Sequence, residues 1–384
     1  MDFALSPEQE RFQSTARIFA ERRLAPAYLR GDREDALDRD MVREMGELGL
    51  IAPVLPEAMG GLGLDAVTMG LLVEEVSRGD FNVGYVQLLG ALNGQILNRH
   101  ATPELAAEWG QRLCRGEVLL ALALTEPAAG SDAAHIALKA RPAGDHYVFN
   151  GEKTSISFAH QADAAVVFAR TGEEGAGAHG VSAFLVPMDL PGIHRTRFDD
   201  VGSHTVGRGS IFFEDVKVPA ELRLGDEGRG FTQVMQGFDF SRALIGLQCL
   251  GAAAASLQET WSYVTERKAF GQPVVRFEGV SFPLAEAETQ LEALRLLCYK
   301  TLWLKDQGKP HTAEAAMCKW LGPKTAFDVI HACLLAHGHA GYGKETPFQQ
   351  RLRDVMGLEI GDGTAQIMKL IIARERVGRV AVPY

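Results

Sequence analysis

From Ser6 to about Cys114, apolar residues recur at three- and four-residue spacing, the pattern of helices that each bury one face. The Gly-rich "PEAMGGLGLD" of residues 56–65 separates these helical stretches. The first helix has a clear start in "SPEQERF", with Ser6 as N-cap, Pro7 at the first helical position, and Glu8 to Glu10 in the first turn. From about Glu117 to Leu224 the period shortens to two. "DHYVFNGEKTSISF", "ADAAVVFAR", "VSAFLVPM" and "SIFFEDVKVP" are short β-rich runs bounded by Gly, Asp and Pro. Helical text returns near Gly230 and is longest over 231–267, 280–307 and 312–336, with loops expected at "GQPVVRFEG" and "GHAGYGKETP". The pattern predicts three blocks: a helical domain over 1–116, a β domain over 117–228 and a helical domain over 229–384.

Composition narrows the possible partners. The 384 residues, 46% hydrophobic and 23% charged, can bury two or three cores. A net charge of −10 without a run of Lys or Arg argues against a nucleic-acid surface, so an acidic ligand must be held by a few placed cations. The amphipathic N-terminus is no secretory leader, and no apolar run reaches the length of a membrane span, so cytoplasm is the default compartment and no membrane insertion is expected. Five cysteines, at 114, 249, 298, 318 and 333, are odd in number and lack paired spacings, which fits reduced thiols. His100, His204 and His337 lack ligand spacing, and no metal is expected.

One carboxylate stands out. In "EIGDGTAQIMKLIIAR" (359–374), Asp362 lies between Gly361 and Gly363, just ahead of a helical pattern carried by Ile367, Leu370, Ile371 and Arg374. On one reading Asp362 is a helix-start acid accepting from free backbone N–H groups. On the other, the glycines let a ligand approach closely and the acid serves as a base.

The remaining motifs bear on that choice. "PEAMGGLG" (56–63), "LALTEPAAGSD" (122–132), "FEDVKVP" (213–219), "ERKAFGQP" (266–273), "GHAGYG" (338–343), "RLRD" (351–354) and "GDGTAQI" (361–367) occur in one order along nearly the whole chain. Together they resemble the flavin-dependent acyl-CoA dehydrogenase family. The resemblance implies an α+β fold with a helical N-terminal domain, a central β barrel and a C-terminal four-helix bundle. It also implies a homotetramer with FAD held between subunits and electron-transfer flavoprotein as acceptor. The implied reaction removes the proton α to a thioester while the β-hydrogen leaves as hydride to the flavin.

In that family the base is commonly a Glu in Tyr-Glu-Gly-Thr, where this chain has Gly361-Asp362-Gly363-Thr364. The shorter acid loses roughly 1–1.5 Å of reach, and about 1 Å of misplacement can cost on the order of 10²-fold in rate. A rival base position used by one subgroup is Ser241 in "FDFSR", not a carboxylate, which favours Asp362. The family's Tyr before the base is Gly361, and the aromatic of its Trp-Ile-Thr strand is Ser155. Two rings replaced by small residues imply a bulky or ring-shaped acyl group, since an unfilled hole costs about 24 cal/mol per Å³. The text around "YVQLLG" and "GDGTAQIMKLIIAR" resembles the subgroup acting on cyclohexane-1-carboxyl-CoA, which implies 1,2-dehydrogenation to cyclohex-1-ene-1-carboxyl-CoA. A 1,4-dehydrogenase of the cyclohexene thioester is expected to need a second acid, and residues 81–98 contain neither Asp nor Glu.

For FAD, the resemblance implicates Leu124, Thr125 and Ser131 in the "LTEPAAGS" turn, Ser155 and Ser157 on the following strand, Arg267 and Phe270, and Thr364 and Gln366 after the base. Two family positions depart, with Leu335 for an adenosine-side Gln and His339 for a Gly. For acyl-CoA it implicates Ser131, Asp239, Arg242, Gly361, Gly363 and Arg374. The alternatives are a short- or branched-chain or straight-chain acyl-CoA dehydrogenase, an Asp-base flavoenzyme on a non-thioester such as a nitroalkane oxidase, a non-catalytic acyl-CoA-binding paralogue, and an oxidase.

Overall fold

The computed structural model describes residues 3–173 and 175–382. The first helix starts as its sequence predicts: Ser6 Oγ accepts from the Gln9 amide at 3.1 Å and the Gln9 side chain accepts from the Ser6 amide at 3.0 Å, a reciprocal capping box. α1 (Pro7–Phe19) continues through one wide turn into α2 (Ala25–Gly31). α3 (Arg39–Glu47), α4 (Ala66–Gly79), α5 (Gly84–His100) and α6 (Pro103–Cys114) follow, and Asp38, Asp65 and Thr102 cap α3, α4 and α6. α4 and α5 are buried on nearly every side because they are sandwiched between outer helices and the C-terminal domain.

The middle of the chain supplies β1 (Leu120–Ala123), β2 (Lys139–Ala143), β3 (His146–Ile156), β4 (Ala164–Arg170), β5 (Val181–Pro187), β6 (Ile193–Arg195), β7 (Gly209–Pro219) and β8 (Arg223–Leu224). They form one sheet in the order β6-β7-β3-β2-β4-β5-β8, with β1 added in parallel to β4. β2 and β4 share only the Lys139–Arg170 pair, so the sheet is two halves hinged at one point. The halves curl over a common core, where Phe149 of β3 meets Phe184 of β5 edge-on at 5.0 Å.

α7 (Gly230–Glu266) returns the chain to helix and leads to a hairpin of β9 (Lys268–Ala269) and β10 (Gln272–Pro273). α8 (Glu278–Asp306), α9 (Thr312–Ala336), α10 (His339–Tyr342), α11 (Phe348–Ile360) and α12 (Ala365–Val377) complete the fold. The short α10 falls where the Gly-rich sequence predicted only loop, because Gly338 at φ +59° starts a single turn there. The expectation that no segment is apolar enough for a membrane span also needs correction. α7 is long and apolar enough by length and composition, and its apolar window is wholly buried inside the protein as the core helix of the bundle.

Asp354, in the "RLRD" motif, binds the three parts together. Its carboxylate accepts from Tyr28 Oη at 2.6 Å, Asn82 Nδ2 at 3.0 Å and the Ser203 amide at 2.6 Å, one donor each from α2, the turn before α5 and the loop between β6 and β7. A buried carboxylate with three donors is satisfied, which is the condition for placing it in a core.

Candidate active site

The turn Gly361–Thr364 joins α11 to α12. Thr364 caps α12, its Oγ1 accepting from the Ile367 amide at 3.4 Å. The helix-cap alternative for Asp362 therefore fails. Asp362 instead stands at φ +55°, in the left-handed region that short Asp tolerates better than longer side chains. Gly363 stands at φ +101°, a conformation strained for any side chain, and a Cβ there would also lie 2.5 Å from the flexible end of Met368, at Cε. Gly361 differs: its φ is −58°, and a Cβ there would meet only Gly357 O at 3.5 Å and Leu358 Cδ2 at 3.9 Å. The backbone thus requires glycine at 363 and leaves 361 free to carry a side chain.

The Asp362 carboxylate makes no hydrogen bond or ion pair among the described residues. It keeps some surface open while protein atoms crowd around it. Loss of hydration pushes its pKa above the ordinary carboxylate value, against the opposing pull of the Lys319 and Arg242 charges. A free, desolvated carboxylate beside two cations is equipped to take a proton.

Arg242 is buried on α7 with its Nη1 3.3 Å from Asp239 Oδ1, and Asp239 also accepts from Thr312 Oγ1 at 2.6 Å. The Arg242 Nε is buried without a partner, a donor left for an acceptor from outside the chain. Arg374, exposed on α12 and bonded to Glu375, lies near enough to Arg242 for its charge to act on it. Ser241 is buried and donates to Phe238 O at 3.3 Å, so no second acid competes at that position. Asp239, Arg242, Gly361, Asp362, Gly363, Thr364 and Arg374 therefore gather where α7, α9 and α12 meet.

The second wall is built from β1 and β3. The Thr154 amide donates to Thr125 O at 2.9 Å, setting Thr125 beside Ser155 and Ser157. Beneath them, buried Lys153 donates to Leu124 O at 2.8 Å and to Glu126 Oε1 at 2.7 Å. Glu126 also accepts from the Ala137 and Leu138 amides at 2.5 and 2.9 Å, which fixes both ends of the turn carrying Ser131. Burial draws the Lys153 ammonium down to about 8 despite Glu126. Ser131 and exposed Ser155, at φ +59°, together with half-buried Thr125 and Ser157, supply the hydroxyls of this wall. Such a wall fits the flat face and polar edge of FAD, and these residues would hold it there.

The structure does not bring every expected residue together. Arg267 and Phe270 lie beyond the C-terminus of α7, about 37 Å along that helix from Arg242 at 1.5 Å per residue. Phe270 is 94% exposed at φ +51°, and within one chain neither it nor Arg267 meets the two walls. Gln366 is exposed on the first turn of α12.

Three residues went unread in the sequence. Lys319 of α9 is fully buried and donates to the carbonyls of Gly363 and, at 3.5 Å, Glu359. Tyr85 of α5 is buried, and burial followed by the negative charge of Asp362 raises its pKa, so it stays a phenol. Lys153 is the third. The signal for Lys319 was its spacing, four after Ala315 and three before Gly322 on a buried helix face; that for Lys153 was its inward parity with Tyr147 and Phe149.

Models of the acyl-CoA dehydrogenase N-terminal, middle and C-terminal domains match residues 6–117, 121–216 and 228–376. This chain belongs to the acyl-CoA dehydrogenase family. The short-chain specific acyl-CoA dehydrogenase of Bos taurus mitochondria is 37% identical over 96% of this chain and 90% of its own. The solved butyryl-CoA dehydrogenase of Megasphaera elsdenii superposes with a TM-score of 0.94 at 33% identity, over 98% of this chain and 100% of that one. PigA, solved with FAD and proline, superposes with a TM-score of 0.94 at 27% identity, over 99% of this chain and 100% of its own. As an acyl-CoA dehydrogenase, the protein is an FAD-dependent oxidoreductase acting on acyl-CoA.

Proposed function

We propose that this enzyme oxidises short or branched acyl-CoA thioesters, with Asp362 removing the α-proton. The observation that carries the reading is Asp362 itself: an unbonded, desolvated carboxylate held in a left-handed turn between two cations. Its raised pKa brings it closer to that of an activated thioester α-carbon than a solvated Asp would be. FAD, when bound, supplies the acceptor for the β-hydrogen as hydride. Arg242, with its buried free Nε and its brace from Asp239, orients the CoA side of the substrate, with Arg374 beside it. Tyr85, as a neutral phenol on α5, lines the acyl side. The similarity to a bovine short-chain specific acyl-CoA dehydrogenase and to a bacterial butyryl-CoA dehydrogenase supports short acyl groups.

A second reading has its own observation. Gly361 sits where the backbone admits a larger residue, and Ser155 is small and exposed, which supports a bulkier acyl group, a compact ring such as that of cyclohexane-1-carboxyl-CoA. The proline bound to PigA supports a ring in this fold. Electron-transfer flavoprotein is the proposed acceptor. A homotetramer is proposed as the assembly, in which Arg267, 94%-exposed Phe270 and 83%-exposed Tyr342 would meet FAD or a second copy.

Anaerobic flavin bleaching tests both readings. Butyryl-CoA, isobutyryl-CoA and cyclohexane-1-carboxyl-CoA are each added to wild type and to Asp362→Asn. Bleaching by the small acyl groups that the variant loses supports the first reading; bleaching by the ring alone moves the substrate to the second. An Asp362→Asn enzyme that still bleaches sinks the base assignment.

A further inference from the structure

We propose that Lys319 is the positioning residue of the base: its ammonium holds the turn that presents Asp362 and sets a positive charge against the carboxylate. This rests on the reading of Asp362 as the base.

Lys319 lies in the middle of α9, fully buried. Taking an ammonium out of water is costly unless it is hydrogen-bonded. Here it donates to the carbonyl of Gly363, one residue after the base, and to that of Glu359 in the last turn of α11. The Glu359 carbonyl is among the four that a helix end leaves without an internal partner, and a cation there also suits the negative end of the helix dipole. One ammonium therefore grips the backbone on both sides of Asp362, whose φ of +55° would otherwise relax towards a commoner conformation.

The ammonium makes no ion pair with a carboxylate among the described residues; its bonds go to backbone carbonyls. A methionine would fill the same volume without the desolvation cost, so the charge points to a role beyond packing. The groups facing this pair are Arg242 and Cys249 on α7, Glu359 on α11, Arg374 on α12 and Tyr85 on α5. Burial draws Lys319 down to about 8, with Asp362 opposing the shift, so the two charges sustain each other. Removing the Lys319 charge leaves Asp362 more basic.

The test uses FAD-loaded enzyme. Anaerobic bleaching rates with butyryl-CoA are measured from pH 5.5 to 9.5 for wild type, Lys319→Gln, Lys319→Met and Asp362→Asn, with circular dichroism and FAD content checking the fold. Gln keeps an N–H donor without the charge; its pH midpoint is expected to rise by about one unit, with up to about tenfold slower bleaching below the wild-type midpoint that recovers at high pH. Met removes donor and charge, and a loss of about 10²-fold at every pH is expected as the turn drifts. Should Met not fold, Gln alone decides. Gln with the wild-type midpoint and rate overturns the proposal, as does Met with wild-type rates. An Asp362→Asn enzyme that bleaches fails the base assignment, whereas an inert Asp362→Asn beside unchanged Lys319 variants fails only the positioning role.

Discussion

Gly246 of α7 and Gly322 of α9 meet at the crossing of their helices, so closely that a Cβ on Gly322 would stand 2.8 Å from the Gly246 Cα. Arg242 precedes Gly246 by four residues and Lys319 precedes Gly322 by three, so this contact brings both cations to the base. Gly322→Val is expected to force the helices apart, costing about 1–3 kcal/mol by overpacking and slowing bleaching. Gly357→Ala, where nothing lies within 4 Å of the new Cβ, is expected to leave activity intact and add about 0.4–1 kcal/mol. Urea denaturation with parallel bleaching assays checks both.

The base should work against stability. Burial raises the pKa of Asp362, so its protonated form is favoured in the folded state, and its ionisation costs stability as pH rises above the unfolded value. Asp362→Asn is expected to melt higher than wild type at pH 8 while failing to bleach. An unchanged or lower melting temperature at pH 8 would contradict this.

A second desolvated acid, Asp80, makes a sharper pH prediction. Burial, followed by the charge of Asp354, lifts Asp80 to about 7, while the Asn82 and Val83 amides oppose the shift. Asp80 then binds a proton more tightly in the folded state, so stability falls as pH rises from about 4 to about 7. Asp80→Asn keeps an acceptor for both amides and should flatten that slope, melting higher than wild type at pH 8. Thermal melts across pH 4–8 read the difference.

Beneath the hydroxyl wall, Glu126→Gln leaves buried Lys153 without its counter-charge. The expected cost is about 3–5 kcal/mol. The turn that carries Thr125 and Ser131 loosens with it, so the purified variant should hold less FAD than wild type by visible absorbance.

Filling the proposed acyl space should change selectivity before stability. Gly361→Tyr meets only ordinary contacts at its Cβ. On the ring reading it is expected to slow cyclohexane-1-carboxyl-CoA at least tenfold relative to butyryl-CoA. Equal effects on the two thioesters would leave Gly361 outside the acyl pocket.

Local pattern alone was enough for much of the fold. The Ser6 cap, the switch of period near residue 117 and the long helices α7, α8 and α9 depend on neighbours a few residues apart, and α7 to α9 begin and end within two residues of expectation. The seven ordered motifs likewise identified the family, and Asp362, Asp239 and Arg242 were legible as candidates. Other features depend on distant segments. That Thr364 and not Asp362 caps α12 is a matter of dihedral angles in a turn braced from α9. A lysine at 319 or 153 reads as surface charge until a helix crossing or a sheet curl encloses it, since the chain far away in sequence decides what is buried. The charges that act on Asp362 come from Lys319 and Arg242, 43 and 120 residues earlier in the chain, and only packing could place them there.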